Sequence, residues 1–184
     1  MKKLAFTLLI LIMLSLVSGC SSDSVKMKML NSSYDLNAVY AADEDNVWAV
    51  GSKGQILFFD GDEWVDQNSG TAATLNSVSG FDRNHVWAVG DLGTLLFYDG
   101  SEWRRQDAPA LSKLSKLNDV EAVDSRNVWA VGEKTILFFN GSRWTETEAE
   151  WNLNGVTAAD AENVWVAGDG GILYYDGSWH EQLK

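Results

Sequence analysis

One cysteine, one proline and two histidines are spread over 184 residues. A single cysteine, Cys20, rules out an intramolecular disulfide. His85 and His180 have no ligand-like spacing to each other or to that cysteine, so neither a metal nor a cofactor is expected. Basic residues are scarce as well, 14 against 26 acidic, and the basic footprint that nucleic-acid binding needs is missing. With no Ser/Gly-rich tract beyond residues 21 to 24, there is little room for a long linker or a second domain. The long apolar run, Leu4 to Val17, is too short to cross a bilayer comfortably as a permanent helix.

That run follows Met1-Lys2-Lys3 and precedes Ser18-Gly19-Cys20, the charged, apolar and small-residue order of a secretory signal. Val17-Ser18-Gly19-Cys20 resembles the bacterial lipobox. The resemblance implies cleavage after residue 19, lipid on Cys20, and, with Ser21 next, sorting to the outer membrane of a double-membraned bacterium. In a bacterium with one membrane, the outer face of the plasma membrane is expected. A plain signal peptide beside an incidental cysteine is the alternative. Cleavage would remove two lysines and no acids, moving the formal charge from −12 to −14. A mature chain of 165 residues is long enough for one domain with a sizeable core.

What the chain has in plenty is tryptophan, nine in all, and eight of them fall in one register. Val47-Trp48-Ala49-Val50-Gly51 returns as Val86 to Gly90, Val128 to Gly132 and Val164 to Gly168, each followed by an apolar run, an Asp-Gly or Asn-Gly pair and a second tryptophan. The first tryptophans are 39, 42 and 36 residues apart. A Leu-Asn pair precedes each without variation, its leucine 12 residues upstream: Leu36-Asn37, Leu75-Asn76, Leu117-Asn118 and Leu153-Asn154.

Each unit reads as four short strands. The first is rich in small residues and suits a crowded position. Asp-x-x-Asn, or Asp-x-x-His in the second unit, links it to the next, with Asp accepting backbone bonds and Asn expected in the left-handed region. Val-Trp-Ala-Val and the Ile-Leu-Phe-Phe type run are apolar on both faces, so both strands should be buried from two sides. Asp60-Gly61, Asp99-Gly100, Asn140-Gly141 and Asp176-Gly177 predict type I′ hairpins. The fourth strand carries the second tryptophan and then turns polar, which protects an edge.

These strands describe an all-β protein, a β-propeller of four four-stranded antiparallel blades at about 36–69, 75–107, 117–148 and 153–184, after a signal over 1–19 and a tether over 20–35. A solenoid is the competing reading, but hairpin-linked meanders are not solenoid coils. The units resemble the neuraminidase-type, or Asp-box, repeats and the propeller lipoproteins typified by the photosystem II assembly factor. They depart from the Asp box in placing Asp and Gly side by side, so the blade carries over and the enzymology does not. A sialidase of that kind needs an arginine cluster and a tyrosine-acid pair, and Arg83, Arg104, Arg105, Arg126 and Arg143 do not form that pattern. No catalytic residue is expected.

Four units make a complete ring if it closes within one chain; a larger ring from two chains is the other arrangement. Val25 to Leu30 falls in outer-strand register, either as a closing strand or as a loose tether. Candidate binding residues lie where the repeat does not repeat. Trp151, before the fourth unit, and Tyr34, before the first, suit a sugar or peptide platform if those units are neighbours; packing over the blade rim is the alternative for Trp151. Arg104, Arg105, Lys113 and Lys116 form a local basic patch that suits partner docking or is a solvated loop. Asn37, Asn76, Asn118 and Asn154 should ring the channel mouth, holding a ligand or satisfying backbone groups. The expectation is a lipid-anchored, non-catalytic scaffold for an envelope protein, with a carbohydrate-binding module as alternative, a glycosidase-like enzyme a distant third, and a homodimer if the ring does not close alone.

Overall fold

The computed structural model describes residues 35–109 and 116–183. Four four-stranded antiparallel sheets follow one another along the chain. Blade 1 comprises β1 (Leu36–Ala41), β2 (Val47–Gly51), β3 (Ile56–Phe59) and β4 (Trp64–Gln67). Blade 2 holds β5 (Leu75–Asp82), β6 (His85–Gly90), β7 (Thr94–Tyr98) and β8 (Trp103–Arg105). Blade 3 is β9 (Leu117–Asp124), β10 (Asn127–Gly132), β11 (Thr135–Phe139) and β12 (Trp144–Glu148). Blade 4 is β13 (Leu153–Asp160), β14 (Asn163–Gly168), β15 (Gly171–Tyr175) and β16 (Trp179–Leu183). Every sheet is an up-and-down meander with sequential strands adjacent, the β-propeller blade that the repeat predicts.

Hairpin turns depart from expectation. Gly61, Gly100, Gly141 and Gly177 have positive φ, but the residues before them do not, so the type I′ reading is corrected. The aspartate works through its side chain instead. Asp60 Oδ1 accepts from the backbone N–H of Asp62 (3.0 Å) and Glu63 (2.9 Å), and Asp99 and Asn140 repeat the pattern. Asn46, Asn127 and Asn163 are likewise not left-handed; their amides donate to Asp43, Asp124 and Asp160 (2.7, 3.0 and 2.9 Å). Left-handed backbone occurs elsewhere, at Lys53, Leu92 and Lys134 in the loops between second and third strands.

Core residues sit between blades. Trp48, Val50 and Ile56 of blade 1 pack on Leu75, Val78, Val86, Leu96 and Trp103 of blade 2. The same set recurs between blades 2 and 3 and between blades 3 and 4. Removal of these paired faces from water is the main stabilising term. Three of the second tryptophans, Trp103, Trp144 and Trp179, pack in the seams: Trp179 meets Trp129 edge-on at 5.7 Å, and Trp103 Nε1 donates to Gln67 of blade 1 at 2.7 Å.

Contact runs from blade 1 to 2, 2 to 3 and 3 to 4, and among the described elements no comparable contact joins blade 4 back to blade 1. The ring is open. Trp165 is therefore 41% exposed, whereas Trp48, Trp87 and Trp129 are 0, 3 and 2% exposed; the expected two-sided burial of the second strand holds in blades 1 to 3 and fails in blade 4. Val25 to Leu30 lies outside the described residues.

Candidate functional site

The invariant Leu-Asn pair is a β-bulge. In each blade the pairing register shifts at that step, leaving Asn37, Asn76, Asn118 and Asn154 without a partner on the adjacent strand. The glycine ending each second strand completes the device: a Cβ at Gly51, Gly90, Gly132 or Gly168 would lie 1.9–2.1 Å from the carbonyl oxygen of Asp35, Thr74, Lys116 or Asn152. A bulged residue re-aims its side chain. Here it points across the seam, and Asn37, Asn76 and Asn118 donate to the Leu75, Leu117 and Leu153 carbonyls of the next blade at 2.8, 2.8 and 2.7 Å. These amides satisfy backbone groups between blades instead of forming an open ring. Asn154, in the last blade, bonds to Asp169 of its own blade at 3.0 Å.

The starts of the inner strands and the loops between second and third strands share one face, because Ser52, Asp91, Glu133 and Asp169 each donate a backbone N–H to the residue just before an inner strand, at 2.9–3.0 Å. On this face Trp151 is half-buried. Its indole lies over Gly170, where any Cβ would meet the ring at 2.2 Å, and belongs to the cluster between blades 3 and 4. Its buried Nε1 has no hydrogen-bond partner.

At the blade 2 loop of the same face, Lys116 Nζ lies 3.8 Å from Asp91 Oδ1, and Arg105 Nη2 donates to the Gly93 carbonyl at 3.2 Å. Arg104 points elsewhere, pairing with Asp99 (2.7 Å) and Glu102 (2.6 Å) at its own hairpin. The expected basic patch is thus split, with Arg105 and Lys116 meeting at one loop and Arg104 serving another. Tyr34, Lys113 and Cys20 lie outside the described residues. Among the described elements, blades 1 and 4 share no contact comparable to the three seams, and the pairing of Tyr34 with Trp151 falls outside the described residues.

Sequence reasoning passed over Asp119 and Glu121, two carboxylates on an inner strand otherwise built of small residues. Asp119 accepts from Ser77 Oγ of blade 2 at 2.6 Å and from the Val156 N–H of blade 4 at 2.9 Å. One side chain thereby ties three blades. Burial, and secondarily the Asp119 charge, pushes the Glu121 carboxyl above its usual range. The sequence signal was the unusual pair of acids two residues apart in that strand. Among the described residues, no group of three or more His, Cys, Asp or Glu is placed to hold a metal.

No family model matches the chain, and no curated protein matches it. Solved structures do. The arc is similar to the protein YCF48 bound to a D1 peptide, with TM-score 0.65 and 16% identity over 84% of this chain and 56% of that one. It is similar to YCF48 from Cyanidioschyzon merolae, with TM-score 0.64, 20% identity and coverage of 84 and 58%. A protein of unknown function from Bacteroides thetaiotaomicron gives 0.59 and 14% over 79 and 42%. At these identities the likeness shows the fold. The chain spans little more than half the length of either YCF48 structure.

Proposed function

We propose that the protein is an exported propeller, lipid-anchored through Cys20, that serves as a non-catalytic protein-interaction scaffold at the cell envelope. The observation that carries this reading is a division of labour in the fold. Repeated residues are consumed in seams and turns, whereas Trp151, Arg105 and Lys116 collect on the face of the inner-strand starts. An aromatic with a partly open ring on the same face as two cations suits a peptide carrying apolar and acidic groups. The YCF48 structure with a D1 peptide supports the protein-partner class, because its fold is the one seen here.

Co-purification from detergent-solubilised envelopes tests the reading. The full-length lipidated chain should retain an envelope protein that Trp151→Ala and Arg105→Glu/Lys116→Glu release. Retention by both variants would remove this face as the docking site. Binding to soluble glycans with no retained protein would favour the carbohydrate module.

A further inference from the structure

We infer that two copies of this chain close head to tail into one eight-bladed ring, blade 4 of each seated on blade 1 of the other. The occupant of the open ends is specified by the seams inside the chain. Each seam joins one face of a blade, presenting the first tryptophan with apolar residues from the second and third strands, to an opposite face presenting the inner-strand leucine and valine, the third-strand leucine and the second tryptophan. Three seams use three copies of each face, and one of each is left over.

On blade 4 the unused face carries Trp165, Ala167 and Ile172, which line an apolar hollow of about 360 Å³ with Gly155 and Thr157. On blade 1 it carries Leu36 and Val39, 47 and 66% exposed, although their counterparts Leu75 and Val78, Leu117 and Val120, and Leu153 and Val156 are all buried. Ala49 and Leu57 of the same face are buried, at 6 and 3%, so the open part of the face is its inner strand, where two neighbouring apolar residues stand exposed at positions that the other three blades bury. The faces left over are the two halves of the same interface, so a second copy continues an interface this chain already makes three times.

Polar groups match as well. Asn154 stands where Asn37, Asn76 and Asn118 clasp the next blade, so its amide would reach the partner's Leu36 carbonyl. Gln182 stands three residues after Trp179, as Gln67 does after Trp64. Gln67 receives the Trp103 indole N–H of the next blade, and Gln182 would receive that of the partner's Trp64. A head-to-tail interface forms a ring or an open filament according to whether the rotation closes. Two copies make eight blades, within the roughly four to eight that propellers use, and three copies exceed it.

The test is the mass of the full-length lipidated chain in detergent, by sedimentation with the detergent contribution subtracted. Two chains per particle are expected. Val39→Glu and Trp165→Glu each alter a side chain already exposed in one copy, so each should yield a folded monomer with an unchanged circular dichroism spectrum. Leu92→Asn, at an exposed apolar residue in a loop away from both faces, should leave the dimer intact. Mixing the Val39→Glu and Trp165→Glu chains should recover dimers, because each retains the end that the other lacks; a face-to-itself dimer would show no such rescue. A monomeric native chain, particles larger than two copies, or dimers that survive Val39→Glu would overturn the inference. A monomer would also mean that another part of the chain covers the faces, leaving the proposed envelope scaffold unaffected.

Discussion

The amide of Asn76 reaches across a blade boundary to the carbonyl of Leu117 at 2.8 Å, and Asn118 repeats the act toward Leu153 at 2.7 Å. Both acceptors belong to leucines that are fully buried. Each clasp therefore satisfies a carbonyl that water reaches poorly, and the bulge that aims the amide is part of the seam.

Asn76→Ala and Asn118→Ala should each cost about 1–3 kcal/mol, the penalty for leaving a buried backbone acceptor unpaired. Chemical denaturation would measure it. A loss below about 0.3 kcal/mol at both positions would show that water replaces the amide.

Trp103 and Gln67 provide a second seam bond, indole N–H to amide oxygen. Trp103→Phe keeps most of the ring and removes the donor; Gln67→Leu removes the acceptor. A double-mutant cycle should return a coupling of about 0.5–1.5 kcal/mol. Additive losses would mean that Trp103 acts by packing alone.

Gly90 admits no side chain, because a Cβ there would lie 2.0 Å from the Thr74 carbonyl oxygen. The obstacle is backbone, which cannot rotate away. Gly90→Ala should cost about 3 kcal/mol or more, at or above the upper end for overpacking. Gly70→Ala is a useful contrast, since nothing lies within 4 Å of its Cβ; strain at its positive φ should limit the loss to about 1 kcal/mol.

Hydrogen bonds from Ser101 and Glu102, with the nearby Arg104 charge, hold the Asp99 carboxyl down to about 2. A carboxyl depressed on folding contributes stability that is complete above its unfolded value, near 3.8, and is lost as pH falls toward 2. Thermal midpoints should therefore drop through that window. Asp99→Asn should flatten part of the slope while keeping the turn, because Asn140 occupies the same position in blade 3. An unchanged slope would mean the other lowered aspartates dominate.

Glu121 runs the other way. Its pKa is raised by burial first and by Asp119 second, so the folded state binds a proton more tightly than the unfolded one. Stability from this group is present at low pH and lost as pH rises through the folded value. Glu121→Gln should stabilise the protein at pH 7 and change little near pH 4, as calorimetry at both would show.

Much of the fold was legible in the residues. The 12-residue spacing from leucine to tryptophan marks one blade after another, because a strand, a tight loop and half a second strand cannot change length without moving a core side chain. Apolar runs named the middle strands, and Asp-Gly and Asn-Gly named the hairpins. The turn type was not legible, since an aspartate that caps with its side chain and one that bends its own backbone are written with the same letter. The candidate site was legible only in part. Trp151, Arg105 and Lys116 stood out as departures from the repeat, but that Arg104 turns to its own hairpin depends on side-chain direction and on where Asp99 lies.

The sequence by itself determined the blade and the two complementary faces each blade presents, because those follow from local periodicity and turn chemistry. Tertiary structure decided what the repeat pattern could not. The clasping role of Asn37, Asn76 and Asn118, the bridge of Asp119 across three blades, and the exposure of Trp165 and Val39 all depend on which blade face lies against which. That arrangement is set by packing across the seams, and among the described residues it leaves the ring of four open.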